Sequence, residues 1–330
     1  MSGIRRSSPV SDQTLNRLIR GGIMVLAVGI PLLVALYFLD RGPDHGPTLI
    51  ERQIATAEAA VRKAPSQLGP RLALAQAYQA AEQPDNALEQ YDEVLTISVG
   101  NKTALLGRGD ILLDRGDLQG AAKAFKKVTT KASGGEFSGV DPQLEHAYFG
   151  LGSVALQQDR AGDAVTALTQ AVKINATDAD AWYLLGTASL QAGKAGPAVD
   201  ALERAVLFVP TGWCEPYEAL SQAYAKLGRA ANAEYAGAMV DFCKNRPDAA
   251  TRRLQTLTSG ATALDAMVGL GMIAETTTDR AAAVRWYRKA LAKDPGNFNA
   301  LAGLSRLGVA KPPAHAPAPS GTTSSSGTTS

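Results

Sequence analysis

Along most of the chain, hydrophobic and small residues recur at helical spacing, and the same pattern returns thirty-four residues later. The clearest unit starts at Ala179 and places Trp182, Leu185, Gly186, Gly193, Ala198, Leu202, Ala205 and Pro210. The unit before it, from Glu145, places Tyr148, Leu151, Gly152, Ala164, Leu168 and Ala171 at the same offsets. A second pattern interrupts this periodicity once. From Gly21 to Leu39 the chain runs GGIMVLAVGIPLLVALYFL, nineteen residues without a charge and without a polar face.

The repeating residues resemble the tetratricopeptide repeat family, whose pattern is a large residue, Leu-Gly three later, then Ala, a large residue, Ala and Pro. Further units fit the same register. The unit from Leu68 carries Leu74, Ala75, Tyr78, Ala87 and Tyr91; that from Lys102 carries Leu105, Gly109, Leu112, Gly116, Ala121 and Phe125, with Arg108 where Leu is usual. From Cys214 come Tyr217, Leu220, Tyr224, Gly228 and Ala233, but Gly237 stands where a large residue belongs. From Leu264 come Met267, Leu270, Gly271, Ala283, Tyr287, Ala290 and Pro295.

The resemblance implies an all-α superhelical solenoid of about six helix pairs, at residues 68–101, 102–135, 145–178, 179–212, 214–247 and 264–297. Small residues such as Gly186 and Ala198 let paired helices approach, while Trp182, Leu185 and Leu202 fill the space between units. A single pair cannot bury its apolar face, so the pairs must stack. A helix at Leu49–Lys63, stopped by Pro65, reads as the amino-terminal cap, and one from Phe298 (298–310) as the other. Gly135 to Leu144 reads as a loop. Residues 248–263, with Leu254 and Leu257, read as an extra helix that bends or divides the stack. The tail from Lys311 to Ser330 is Pro-Ala and then Ser-Thr-Gly, a composition that builds no core and is expected to be disordered.

At about 1.5 Å per residue, the charge-free run spans the hydrocarbon core of a bilayer. Pro31 is tolerated in such a helix, and Tyr37 and Phe38 fall where an interfacial aromatic belt lies. Four arginines against Asp12 give residues 1–20 a charge of +3, so the remainder of a chain of net +2 carries −1. That asymmetry predicts a cytoplasmic basic segment, a single transmembrane helix at 21–39, a linker at 40–48 and repeats on the extracytoplasmic side of a bacterial cell membrane. A cleaved signal peptide would end on a small-x-small site, whereas this run closes on Leu36-Tyr37-Phe38-Leu39-Asp40. The segment therefore reads as a signal anchor.

Composition narrows the chemistry further. The chain has 330 residues, 45% of them hydrophobic and only 19% charged, and so weak a net charge argues against nucleic acid as partner. His45, His146 and His315 lie too far apart to share a metal, and no nucleophile elbow, phosphate loop or dinucleotide fingerprint occurs. No cofactor, metal, catalytic residue or small-molecule substrate is expected, and an enzyme is not. Asn101-Lys102-Thr103 and Asn175-Ala176-Thr177 fit the glycosylation triplet, which matters only in a eukaryotic secretory pathway.

Cys214 opens the first helix of its unit and Cys243 nears the end of the second, so in an antiparallel pair the two sulfurs are neighbours. If the repeats lie outside the cytoplasm a disulfide is expected; the alternative is two buried thiols.

In the family, the first helix of each unit lines a concave groove, chiefly at its second, fifth, ninth and twelfth positions. Carried over, this implies a peptide-binding surface at Leu106, Asp110 and Leu113, at Phe149, Ser153 and Leu156, and at Tyr183, Thr187 and Leu190. Two apolar rails would flank a polar one, which suits a protein or peptide segment with apolar side chains. Lys226 and Arg306 are the only basic candidates on this face, and they lie too far apart in sequence to make a carboxylate clamp. The expected function is a non-enzymatic, membrane-anchored scaffold or adaptor. The alternative is a biogenesis factor presenting client polypeptides to a membrane enzyme, since the layout is similar to accessory proteins of bacterial c-type cytochrome maturation.

Overall fold

The computed structural model describes residues 47–132 and 138–309, together with Leu26 and residues 29–33. The basic segment 1–20, residues 40–46 of the linker and the tail 311–330 lie outside the described residues, as does most of the expected membrane span. Of that span, Leu26 and residues 29–33 are helical, and Leu26, Ile30, Leu32 and Leu33 are exposed. No described helix is long and apolar enough to cross a membrane.

Between Leu49 and Arg306 the described chain is helical throughout. The helices are α1 (Leu49–Lys63), α2 (Leu68–Ala80), α3 (Pro84–Ile97), α4 (Lys102–Asp114), α5 (Leu118–Ala132), α6 (Pro142–Gln157), α7 (Ala161–Ile174) and α8 (Ala179–Gln191). They continue as α9 (Ala195–Phe208), α10 (Glu215–Lys226), α11 (Ala230–Cys243), α12 (Pro247–Thr256), α13 (Ala263–Thr276), α14 (Arg280–Lys293) and α15 (Phe298–Arg306). A short 3-10 turn, Ser138–Val140, precedes α6.

The chain divides into two compact units, Met1–Gln90 and Tyr91–Ser330. In the first, α1 opens with a capping box: Thr48 Oγ1 accepts from Glu51 N–H, and Thr48 N–H donates to Glu51 Oε2 at 2.7 Å. Tyr78 donates to Glu58 Oε1 at 2.9 Å, fixing α2 on α1.

In the second unit, several first helices of the pairs begin at an Asn or Asp whose side chain accepts a backbone N–H: Asn101, Asp141, Asp178 and Asn297. Both glycosylation-like triplets have a structural use, the first in this cap and the second in a turn. Asn101 caps α4, and Asn175 accepts from Thr177 in the turn before α8. The turn inside each pair then needs one left-handed residue at a fixed place. Gly116, Gly193 and Gly228 supply it freely (φ 77°, 73° and 68°), whereas Asp159 and Thr278 adopt it at φ 55° and 62° against a cost of about 1–2 kcal/mol each.

Packing between pairs follows a size rule. Each second helix plugs one large residue between its own first helix and the next. Phe125 is fully buried between Gly109 and Gly150: a methyl group on either glycine would lie 2.6 Å or 2.5 Å from its ring. Tyr287 sits in the same way between Gly271 and Gly303, and Tyr91 lies against Gly107. Where the plug is a leucine, the next first helix carries a larger residue: Leu168 is followed by Leu184, and Leu202 by Ala219, both packed on the clusters that hold those leucines. Volume is thus traded between neighbouring pairs, as close packing demands.

The register breaks at α11. This helix pairs with α10 through a left-handed Gly228, and with α12 through a second left-handed turn at Asn245 (φ 58°). It therefore serves as second helix of one pair and first helix of the next. In that second role Leu254 of α12 is the fully buried plug, meeting Gly269 of α13 together with Met239. Gly237, anomalous as a missing plug, is where Arg253 crosses α11 to reach Glu234 and Asp241, both at 2.6 Å. Residues 247–256 are thus a paired repeat helix rather than a spare one.

Candidate functional site

The residues placed on the groove by the repeat register fall on α4, α6 and α8, which follow one another in the stack. Leu106 is a correction: it is 6% exposed and belongs to the core cluster with Leu105, Phe125 and Val128, so it offers no surface to a partner. The reason is Gly107 beside it, which draws α4 in against Tyr91. Leu113, Phe149, Leu156, Tyr183 and Leu190 differ. Each is half-buried, with one edge packed on a core cluster and the other accessible. Trp213 meets Tyr183 edge-to-face at 5.0 Å and extends this apolar ledge.

The polar rail is partly used up by the fold. Asp110 Oδ1 lies 2.8 Å from His146 Nε2, and Ser153 donates to Phe149 O of its own helix. Thr187 Oγ1 is enclosed without a partner. Arg306 is committed to Glu275 through two bonds of 2.7 and 2.9 Å, which removes one of the two basic candidates from any anion-binding role. Sequence reasoning passed over His146, although it holds the second position of its unit, and over Trp213, which lies between units where the repeat register assigns no face.

Beside this ledge sits a titrating cluster. Glu145 Oε1 is enclosed without a partner; burial, and then the neighbouring Asp178 carboxyl, push the Glu145 carboxyl up to about 7. His146 is held above its ordinary value by its bond to Asp110, against the opposing effect of burial. An acid with a raised native pKa holds more protons folded than unfolded, so stability falls as pH rises from its ordinary value of 4.5 through about 7. A raised histidine acts in the same direction, its stabilisation being lost as the imidazolium deprotonates. The repeats are therefore expected to be more stable at pH 5 than at pH 8, and the Asp265 carboxyl, raised to about 6, acts in the same direction. Urea midpoints of the wild type and of Glu145→Gln check this: the variant should show a shallower slope than the wild type, and a flat wild-type profile would contradict it.

Cys214 and Cys243 are joined in a disulfide, with Cα atoms 5.5 Å apart, at the open end of the α10–α11 pair. Lys244 and Glu218 pair at 2.7 Å between the same two helices.

Antiparallel helix pairs stacked through glycine-seated plugs, with a continuous face of half-buried side chains on the first helices, define a helical-repeat scaffold. Residues 72–136, 149–211 and 235–298 match the tetratricopeptide repeat family model, together more than half of the chain. The chain belongs to the tetratricopeptide repeat family. The third match begins in α11 and runs through α14, which agrees with the pairing of α11 with α12. Among solved structures, it is similar to residues 41 to the end of MamA from Desulfovibrio magneticus RS-1 (22% identity, 54% of this chain, 98% of that one, TM-score 0.46). It is also similar to YrrB, described as a TPR protein with an unusual peptide-binding site (17% identity, 76% and 97% covered, TM-score 0.44). A third is the C-terminal part of a TPR repeat-containing protein from Cytophaga hutchinsonii (16% identity, 76% and 93% covered, TM-score 0.47). No curated protein matches the chain.

Proposed function

We propose that the chain is a single-pass, membrane-anchored adaptor that holds protein or peptide partners on the ledge formed by Leu113, Phe149, Leu156, Tyr183 and Leu190, outside the cytoplasm. The observation that carries the binding half is the exposure pattern of those five side chains: large, apolar, and left half-covered on a family scaffold built for protein interaction. An extended or helical segment laid along them would cover their open edges, and burial of apolar area supplies the affinity. Support for the anchor comes from the nineteen charge-free residues behind four arginines. A disulfide between Cys214 and Cys243 suits an oxidising compartment.

The paired substitution Phe149→Ala with Tyr183→Ala is expected to weaken partner capture about tenfold or more while helicity is retained, because both side chains already reach solvent and their loss opens no closed cavity. Unchanged pull-down would remove the ledge from the reading. Protease added outside intact cells tests the orientation: the repeats should be digested without opening the membrane, and protection until the membrane is opened would place them inside.

A further inference from the structure

Residues 209–214 join α9 to α10, a connection longer than its counterparts 98–101, 175–178 and 294–297. Each of those ends on an Asn or Asp (Asn101, Asp178, Asn297) whose side chain accepts an N–H of the helix it opens. α10 follows Cys214 instead, which makes no such bond. What ties this helix start down is covalent, the bridge to Cys243 at the end of α11. Beside it in the chain is Trp213, whose ring meets Tyr183 of α8 edge-to-face at 5.0 Å. On its other side Gly212 is left-handed (φ 79°), and the Tyr217 hydroxyl donates to Pro210 O at 2.9 Å. Trp213 is thus held on the ledge between a hydrogen-bonded anchor, a glycine hinge and a disulfide. Cys214 and Cys243 are both half-buried rather than enclosed, so a thiolate reaches the bridge.

We propose that the Cys214–Cys243 bridge is a redox latch for the ledge: reduction by a dithiol frees Trp213 from Tyr183 and removes the α10 end of the partner-binding face. The release of Trp213 stands on the geometry alone; its consequence for a partner rests on the adaptor reading. One thiolate of the dithiol attacks a bridge sulfur and the S–S bond breaks. The departing sulfur leaves as thiolate and takes up a proton. The dithiol then closes to its own disulfide and releases the other cysteine, so two electrons and two protons pass to Cys214 and Cys243. At ambient temperature the helices stay paired, because Pro216 and Tyr217 are buried and Lys244 meets Glu218 at 2.7 Å. What loosens is the stretch 211–214, where a single edge-to-face contact opposes the freedom that the loop regains.

Fluorine NMR of the full chain, labelled with fluorotryptophan, reads the latch without a partner. The tryptophans are Trp182, Trp213 and Trp286, and Trp213→Phe assigns the resonance of interest. Dithiothreitol, added until both thiols are counted by alkylation and mass spectrometry, should shift the Trp213 resonance to the position of a solvent-exposed indole. The Trp286 resonance, from α14, should stay in place. Tyr183→Ala with the bridge intact should shift Trp213 in the same direction, and Cys214→Ala with Cys243→Ala should hold it there with or without dithiothreitol. A Trp213 resonance unmoved in the fully reduced protein, or untouched by Tyr183→Ala, would overturn the proposal. So would an equal movement of Trp286, which reports unfolding rather than release of the ledge. Unchanged capture by the Phe149→Ala, Tyr183→Ala variant removes the ledge from the adaptor reading and leaves the reductant-driven shift of Trp213 as it is.

Discussion

Phe125→Ala is expected to destabilise the α4–α6 region by about 3–5 kcal/mol, the cost of emptying a closed aromatic site whose walls cannot collapse. The walls are the backbones of Gly109 and Gly150, already as close as helices allow, and the ring is fully buried. The converse substitution is equally informative. Gly150→Leu places a branched side chain where even a methyl carbon would lie 2.5 Å from the ring, and overpacking of this kind costs about 1–3 kcal/mol. The chain itself shows the remedy, because at the corresponding place one pair later Leu184 packs on the cluster that holds Leu168. The double variant Phe125→Leu with Gly150→Leu should therefore be more stable than Gly150→Leu alone. Denaturant unfolding of the three variants gives the coupling energy directly, and additivity would refute the size rule.

Breaking the Cys214–Cys243 bond is expected to have the second largest effect. The bridge closes a separation of 29 residues, worth about 3.6 kcal/mol in the chain-entropy model. Its position raises the stakes, since α11 is shared by two pairs and loss of order there uncouples α12–α14 from α9–α10. A solenoid can unfold in parts, so the effect should appear as a separate early transition rather than a uniform shift. Thermal melts of the oxidised protein, the reduced protein and the Cys214→Ser, Cys243→Ser double variant should show it. Identical curves in all three would contradict the assigned role.

Much of this was legible in the chain. The thirty-four-residue return of residues such as Leu168 and Leu202 marked the family and the helix pairs, because a solenoid repeats the same contact and so repeats the residues that make it. The glycines of the plugs were harder to read. Gly107, Gly150 and Gly303 matter through residues one repeat earlier, a relation between units that no single unit displays. The same blindness hid the double duty of α11. Gly237 reads as a degenerate plug until Leu254 is seen filling that place seventeen residues on, and Arg253 is seen crossing the glycine. On the ledge, register alone put Leu106 on the surface, whereas the close approach of α4 at Gly107 buries it.

The most direct test of the adaptor reading is photo-crosslinking in intact cells, with the crosslinker at position 149 or 183 of the full chain and, as control, at the exposed position 127 on α5. The ledge predicts a discrete protein adduct from positions 149 and 183 and none from 127. Adducts of equal yield from all three positions, or none from 149 and 183, would contradict it.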